Sequence, residues 1–246
     1  MKKLMLMTAL LTLALTGCVQ VEMVSEIDKN GGGTYSFSYS MSTEVEEALM
    51  ELQALDPDSS EMPEFFDMDE DAFKEELKGT GNKLAEYRNE VVDGRRVMSV
   101  TIEFEDVNAL SGSVGGLMGD EGAELGGFGV VRHGDDYLLK TMDLPADYEE
   151  EDEEEEMDME SMEDMSKAME NAQKTMALMG KLMAHANELS ASMRITFPSD
   201  VVEHNAHRLE GRTCIWEINS ENMMSNQGME PHVVFKGGGV KIKTVD

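Results

Sequence analysis

Between positions 35 and 42 the chain reads Tyr35-Ser36-Phe37-Ser38-Tyr39-Ser40-Met41-Ser42, and this strict alternation constrains the fold more than any other feature. Successive side chains of a strand point to opposite faces, so the large apolar residues share one face and the four serines the other. A helix would scatter both sets around its circumference. The segment is therefore a β-strand with one buried and one wet face. Val19, Val21 and Met23 alternate in the same way just upstream, and Asn30-Gly31-Gly32-Gly33 supplies a turn between the two, which makes a hairpin.

Two more hairpins follow from the same pattern. Leu84 to Val92 and Val97 to Phe104 flank Asp93-Gly94, a dipeptide suited to a tight turn, and place Met98, Val100, Ile102 and Phe104 on one face. Phe128 to His133 and Tyr137 to Met142 flank Gly134-Asp135-Asp136, and Leu144-Pro145 ends that pair. Farther on, Met193 to Phe197 reads as a strand stopped by Pro198, with Arg212 to Ile218 as its partner and Cys214, Trp216 and Ile218 on one face. His232 to Lys236 and Val240 to Val245 read as short edge strands.

Helical segments are inserted between these strands. Thr43 caps Glu44 to Leu55, with acids in the first turn, and Asp71 to Leu77 is a second short helix. Eight consecutive acids, Glu149 to Glu156, lead into a long helical stretch reaching about Ser190. Met162, Met165, Met169, Ala172, Met176, Met179, Met183 and Ala186 recur there at 3-4 spacing and form one stripe, which predicts that the stripe packs inward. The pattern predicts an α+β fold: an antiparallel β-sheet built from hairpins, covered on one face by helices, one of them long, Met-rich and amphipathic. The domain reading is a leader over 1–17 and a single domain over 18–246, interrupted by acidic or Gly-rich insertions at about 56–70, 112–127 and 149–156. Eight of the eighteen residues from Gly112 to Gly129 are glycine, yet no nucleotide-binding pattern sits between a strand and a helix there.

The first eighteen residues carry an address. Met1-Lys2-Lys3 is a short basic start, and Leu4 to Ala14 is apolar apart from Thr8 and Thr12, too short to remain as a membrane span. Leu15-Thr16-Gly17-Cys18 follows at once and resembles the lipobox of bacterial lipoproteins, in which the cysteine sulfur takes a diacylglycerol before cleavage. Cys18 is thus the expected lipidation site and the first residue of the mature chain. Each buried acyl methylene contributes about 0.8 kcal/mol, so two or three chains would hold the protein on a bilayer, facing away from the cytoplasm. Val19 stands where an aspartate would resemble an inner-membrane retention signal, which favours the outer membrane in a cell that has two.

Charge narrows the partners. The chain has 51 acidic and 20 basic residues, a net −31, and removal of the leader would take two lysines with it. Nucleic acid is excluded as a partner, and an anionic lipid surface would repel the body, leaving the anchor to hold it.

No constellation for catalysis is evident, and the expectation is a non-enzyme without cofactor. The five histidines, at 133, 185, 204, 207 and 232, fall in no nucleophile-base setting, and His204-Asn205-Ala206-His207 reads as a turn rather than a metal site. Asp67-Met68-Asp69-Glu70-Asp71 begins like a calcium loop, but Ala72 and Lys78 occupy the positions that need glycine and glutamate. If Cys18 is acylated, Cys214 has no intrachain partner; it reads as a small buried hydrophobe. Two binding readings remain, beside a purely structural role in the envelope. A hydrophobic or lipid-like ligand, or an envelope protein, would use a cavity lined by Met169, Met176, Met179, Met183 and Trp216. Copper(I) would use the thioethers of Met157, Met159, Met162 and Met165.

The order of parts resembles the LppM-type bacterial lipoprotein domain: a lipobox cysteine, an immediate Val-x-Val strand, a β-rich middle, a long helix, then Arg194-Ile195-Thr196-Phe197-Pro198 and Trp216-Glu217-Ile218. The resemblance covers most of the mature chain in layout and two short motifs in residues. It implies a surface-tethered, non-catalytic α+β domain and transfers no catalytic residue. The chain departs from it in its acidic insertions, its methionine content and its lack of a C-terminal membrane helix.

Overall fold

A computed structural model describes residues 19–55, 68–110, 127–142, 162–185, 189–219 and 230–245. In chain order they form strands β1 (Val19–Ile27) and β2 (Gly33–Ser42), helices α1 (Thr43–Leu55) and α2 (Glu70–Glu76), and strands β3 (Asn82–Val92), β4 (Arg95–Phe104), β5 (Gly127–His133) and β6 (Asp136–Met142). Helix α3 (Met162–His185) follows, then β7 (Leu189–Thr196), β8 (Val201–His204), β9 (Arg208–Glu210), β10 (Thr213–Asn219) and β11 (His232–Phe235). The α+β class, antiparallel hairpins with inserted helices, is the one the sequence predicts.

The strands divide into two sheets. Seven lie in the order β3-β4-β2-β1-β7-β10-β9 and four in the order β5-β6-β11-β8. All three predicted hairpins form. The first turns on Asp28, whose Oδ1 accepts the amides of Asn30 and Gly32 at 2.6 and 3.2 Å. Gly33 opens β2 because a Cβ there would lie 1.8 Å from the Glu26 carbonyl oxygen. Asp93 and Gly94 both adopt positive φ, 51° and 73°, as a two-residue hairpin turn requires. Local alternation does not specify the one parallel pairing, β1 with β7, which aligns Val19–Glu26 with Leu189–Thr196. Nor does it specify that β11 lies inside the small sheet, between β6 and β8, rather than at an edge.

Register places the apolar residues in rows across the large sheet. Tyr87, Val100, Phe37, Met23, Met193 and Trp216 are successive partners on six strands. Leu84, Ile102, Tyr35, Ser25, Ile195 and Cys214 form the next row. These rows join Val130, Tyr137 and Leu139 of the small sheet and Val233 and Phe235 of β11 in one continuous buried cluster. Phe235 sits between Tyr137 and Phe197, with ring centroids 5.6 and 5.1 Å away. The opposite face is polar: Ser36 bonds Thr101 at 3.0 Å, and Thr196 bonds Thr213 at 2.9 Å.

The helices are pinned by polar groups and packed by a few apolar ones. Ser42, one residue earlier than predicted, caps α1 by accepting the Val45 amide at 3.3 Å. Arg96 of β4 pairs with Glu46 of α1, and Val45 and Ala48 are buried. Asp69, from the failed calcium loop, caps α2 by accepting the amides of Asp71 and Ala72 at 3.0 and 2.9 Å. Phe73 of α2 meets Tyr87 at 5.5 Å.

Helix α3 packs against α1, but not through Met169, Met176 or Met179. Leu178 is buried and Leu182 packs on the core, with Asn171 and Thr175 half-buried on the same side. Met169, Met176 and Met179 are 68%, 76% and 46% exposed. The predicted inward face is therefore wrong by roughly a third of a turn: positions 171, 175, 178 and 182 share the same helical spacing, and two of them hold the branched residues Leu178 and Leu182. Leu178→Ala should cost about 2–4 kcal/mol, whereas Met176→Ala should stay within about 0.5 kcal/mol. Urea unfolding of both variants checks this, and the opposite ranking would put the methionine stripe back in the core.

Candidate functional site

The residues proposed from sequence to line an apolar cavity do not converge. Met169, Met176 and Met179 face outward from α3, while Trp216 is buried in the central row of the large sheet. The side chain of Met183 lies outside the described residues, as do Met157, Met159 and the side chains of Met162 and Met165, on which the copper reading rests. Cys18 and the leader also lie outside them. Beneath the large sheet, between β1, β7 and the helical turn at Val107, the described residues leave a void of about 10 Å³. That is room for one water at most, far below the volume of a lipid chain.

Trp216 has a structural role that its neighbours explain. Its indole Nε1 donates to Asn205 Oδ1 at 3.2 Å, and the same oxygen accepts the His232 amide at 2.9 Å. Asn205 Nδ2 donates to the Glu230 carbonyl at 2.7 Å, so one side chain joins the turn after β8 to β10 and β11. His207 Nδ1 accepts the Glu217 amide at 2.9 Å, which occupies the nitrogen as a structural acceptor. Among the described residues, no group of three or more His, Cys, Asp or Glu is arranged to hold a metal ion.

A different concavity, which no sequence motif marks, opens where the Ile27 end of the large sheet meets the small sheet. It is open to solvent, has a volume of about 910 Å³, and is lined by Lys29, Arg132, Arg212, Lys236, three aspartates and the backbone of several turns. Lys29 belongs to the β1–β2 turn, Arg132 to β5, Arg212 to the β9–β10 turn, and Lys236 follows β11. Four chain segments must be in place before these side chains meet, which is why no local spacing announces them. The frame is tightly tied. A Cβ on Gly237 would lie 2.1 Å from the Asp135 carbonyl oxygen, so only glycine permits that approach. The Lys236 amide donates to the Asp200 carbonyl at 3.0 Å, and the Ser199 hydroxyl donates to the Lys236 carbonyl at 2.5 Å.

Several titratable groups lie in the core. Cys214 is a free, fully buried thiol, as its apolar setting predicts, and burial pushes it up to about 11. The phenol of Tyr35 is raised above its ordinary value by burial. That of Tyr39 is raised first by burial and then by Glu46, and its hydroxyl donates to Met41 Sδ at 3.0 Å.

No family model matches the chain, and no curated protein matches it. The chain is similar to the NMR structure of the folded domain of the Mycobacterium tuberculosis LppM protein, at 12% identity, over 90% of this chain and 91% of that one, with a TM-score of 0.41. No described helix is long and apolar enough to cross a membrane.

Two measurements follow from the buried titratable groups. Cys214 should resist alkylation by iodoacetamide in the folded protein and react on denaturation, since its sulfur is inaccessible and held as the thiol; rapid labelling of the native chain would contradict this. The part of the stability that depends on Cys214, Tyr35 and Tyr39 should be level below about pH 9 and fall above it, because there the unfolded chain releases protons that the folded chain keeps. Thermal melts across this range check the sign, and Tyr35→Phe should reduce the slope; a melting temperature that rises with alkali would contradict it.

Proposed function

We propose that the protein is a lipid-anchored, non-catalytic component of the bacterial cell envelope, attached through Cys18, whose folded body acts by binding. The observation that carries this reading is where β1 begins. Val19, the residue after the lipobox cysteine, already pairs with Met41 on one side and Leu189 on the other. A leader cut just before Cys18 would thus leave the acyl chains joined directly to an interior strand of the sheet. The net charge of −31 and the absence of a membrane-spanning helix among the described residues leave the anchor as the natural means of attachment. Val19 in the position after the cysteine favours the outer membrane where there are two.

This reading orients the body. A strand rises about 3.3 Å per residue, so the two ends of the nine-residue β1 are separated by about 26 Å. The Val19 end, together with the Asp93-Gly94 turn that binds Thr43, would face the bilayer. The Ile27 end would face away from it. A lipid-like ligand or an envelope protein would meet the outward methionines of α3 rather than a cavity in the core, because exposed, flexible thioethers adapt to apolar partners.

Cys18→Ser tests the attachment. In cells fed an alkyne fatty acid, the native chain should be labelled and sediment with membranes; the variant should be unlabelled, with unchanged circular dichroism and melting temperature. Continued labelling of the variant would overturn the reading.

A further inference from the structure

We propose that the polar hollow at the Ile27 end of the sheets binds a small oxyanion bearing more than one negative charge, such as a diphosphate or a polycarboxylate. Acids outnumber bases 51 to 20 in this chain. Four of the bases nevertheless gather around one hollow, and among the described residues Lys236 alone of these four is in an ion pair, with Asp200 at 3.1 Å.

The two arginines are positioned by neutral groups instead. The Arg132 guanidinium lies 4.2 Å from the centre of the Tyr137 ring, and Arg212 Nη1 donates to the Pro198 carbonyl at 2.8 Å. A ring face and a carbonyl fix the direction of a guanidinium and leave its full charge available. Among the described residues, neither arginine nor Lys29 has a carboxylate within 4 Å. Of the hollow's carboxylates, Asp200 pairs with Lys236, and Asp136 accepts the Gly237 amide at 3.0 Å and keeps its charge. Asp135 and Asp136 thus stand against Lys29, Arg132 and Arg212, and the lining keeps a positive excess.

A lining with a positive excess, in a chain that is otherwise strongly acidic, attracts an anion. Cations that reach the hollow from four separate segments are best met together by an anion with more than one charged group, and a hollow of about 910 Å³, open to solvent, has room for one. Guanidinium groups suit phosphate and carboxylate oxygens alike, so charge number rather than the central atom is the basis of selection.

Isothermal titration of the full chain in neutral detergent tests the site, with pyrophosphate and citrate as probes and acetate at equal ionic strength as the comparison. Saturable binding of pyrophosphate or citrate, but not acetate, is expected, and whichever of the two binds more tightly names the source of the oxyanion. Affinity should fall about tenfold in Arg132→Gln and in Arg212→Gln, the loss of one charge-assisted contact. It should be unchanged in Arg88→Gln on β3, at the opposite edge of the large sheet. Lys29→Gln gives the same test without touching a side-chain contact of the fold, and should also weaken binding several-fold. Absence of saturable binding by the native chain, equal binding of acetate, or affinity that survives all three hollow variants would overturn the proposal.

Discussion

The fold hangs on β1. It is hydrogen-bonded to β2 over its whole length and to β7 over all but its last residue, so it has no exposed edge. Its β2 partner is supplied by a tight turn, whereas its β7 partner returns only after most of the chain has been made. Closing so long a loop carries an entropic cost that local contacts do not offset, and the parallel pairing must be held by what it buries. What it buries is the middle of the apolar rows. Met23 and Ser25 sit between Phe37 and Tyr35 on one side and Met193 and Ile195 on the other. A one-residue slip of β1 would turn Met23 and Ile27 to the polar face and bring Val24, 37% exposed, inward.

Fixing β1 also fixes the two ends of the molecule. One end gathers the start of β1, the end of β2 and the Asp93-Gly94 turn bonded to Thr43; the other gathers the segments that carry Lys29, Arg132, Arg212 and Lys236. The proposed attachment at Cys18 and the proposed oxyanion hollow are thus at opposite ends of one strand. A tether with no linker and a rigid strand would hold the hollow about 30 Å from the anchor. The acidic composition keeps such a body soluble beside an anionic surface, and the local excess of cations gives it one region of opposite sign.

What the sequence made legible is what period-two alternation and turn chemistry encode. The serine ladder of β2, the Asp93-Gly94 turn and the burial of Cys214 and Trp216 were all readable, because each depends on neighbours a few residues away. The partnership of β1 with β7 was not, since alternation says which face a residue takes and nothing about which strand lies beside it. The face of α3 was misread for a physical reason: methionine and leucine recur at the same helical spacing on adjacent sides, and the branched leucines took the packed side. The hollow was invisible because its cations come from separate segments and stand in no pattern. Asn205, which ties Trp216 to β11, sat in a segment read only as a histidine-bearing turn.

The central claim is directional: the start of β1 faces the bilayer and its far end does not. Spin labels at Asp93 and at Asn30, on the mature lipidated protein in vesicles containing a paramagnetic headgroup chelate, measure this directly. Strong relaxation at position 93 and little at position 30 is the predicted result, given a separation well beyond the reach of contact with headgroups. Equal relaxation at the two positions, or stronger relaxation at position 30, would contradict the account.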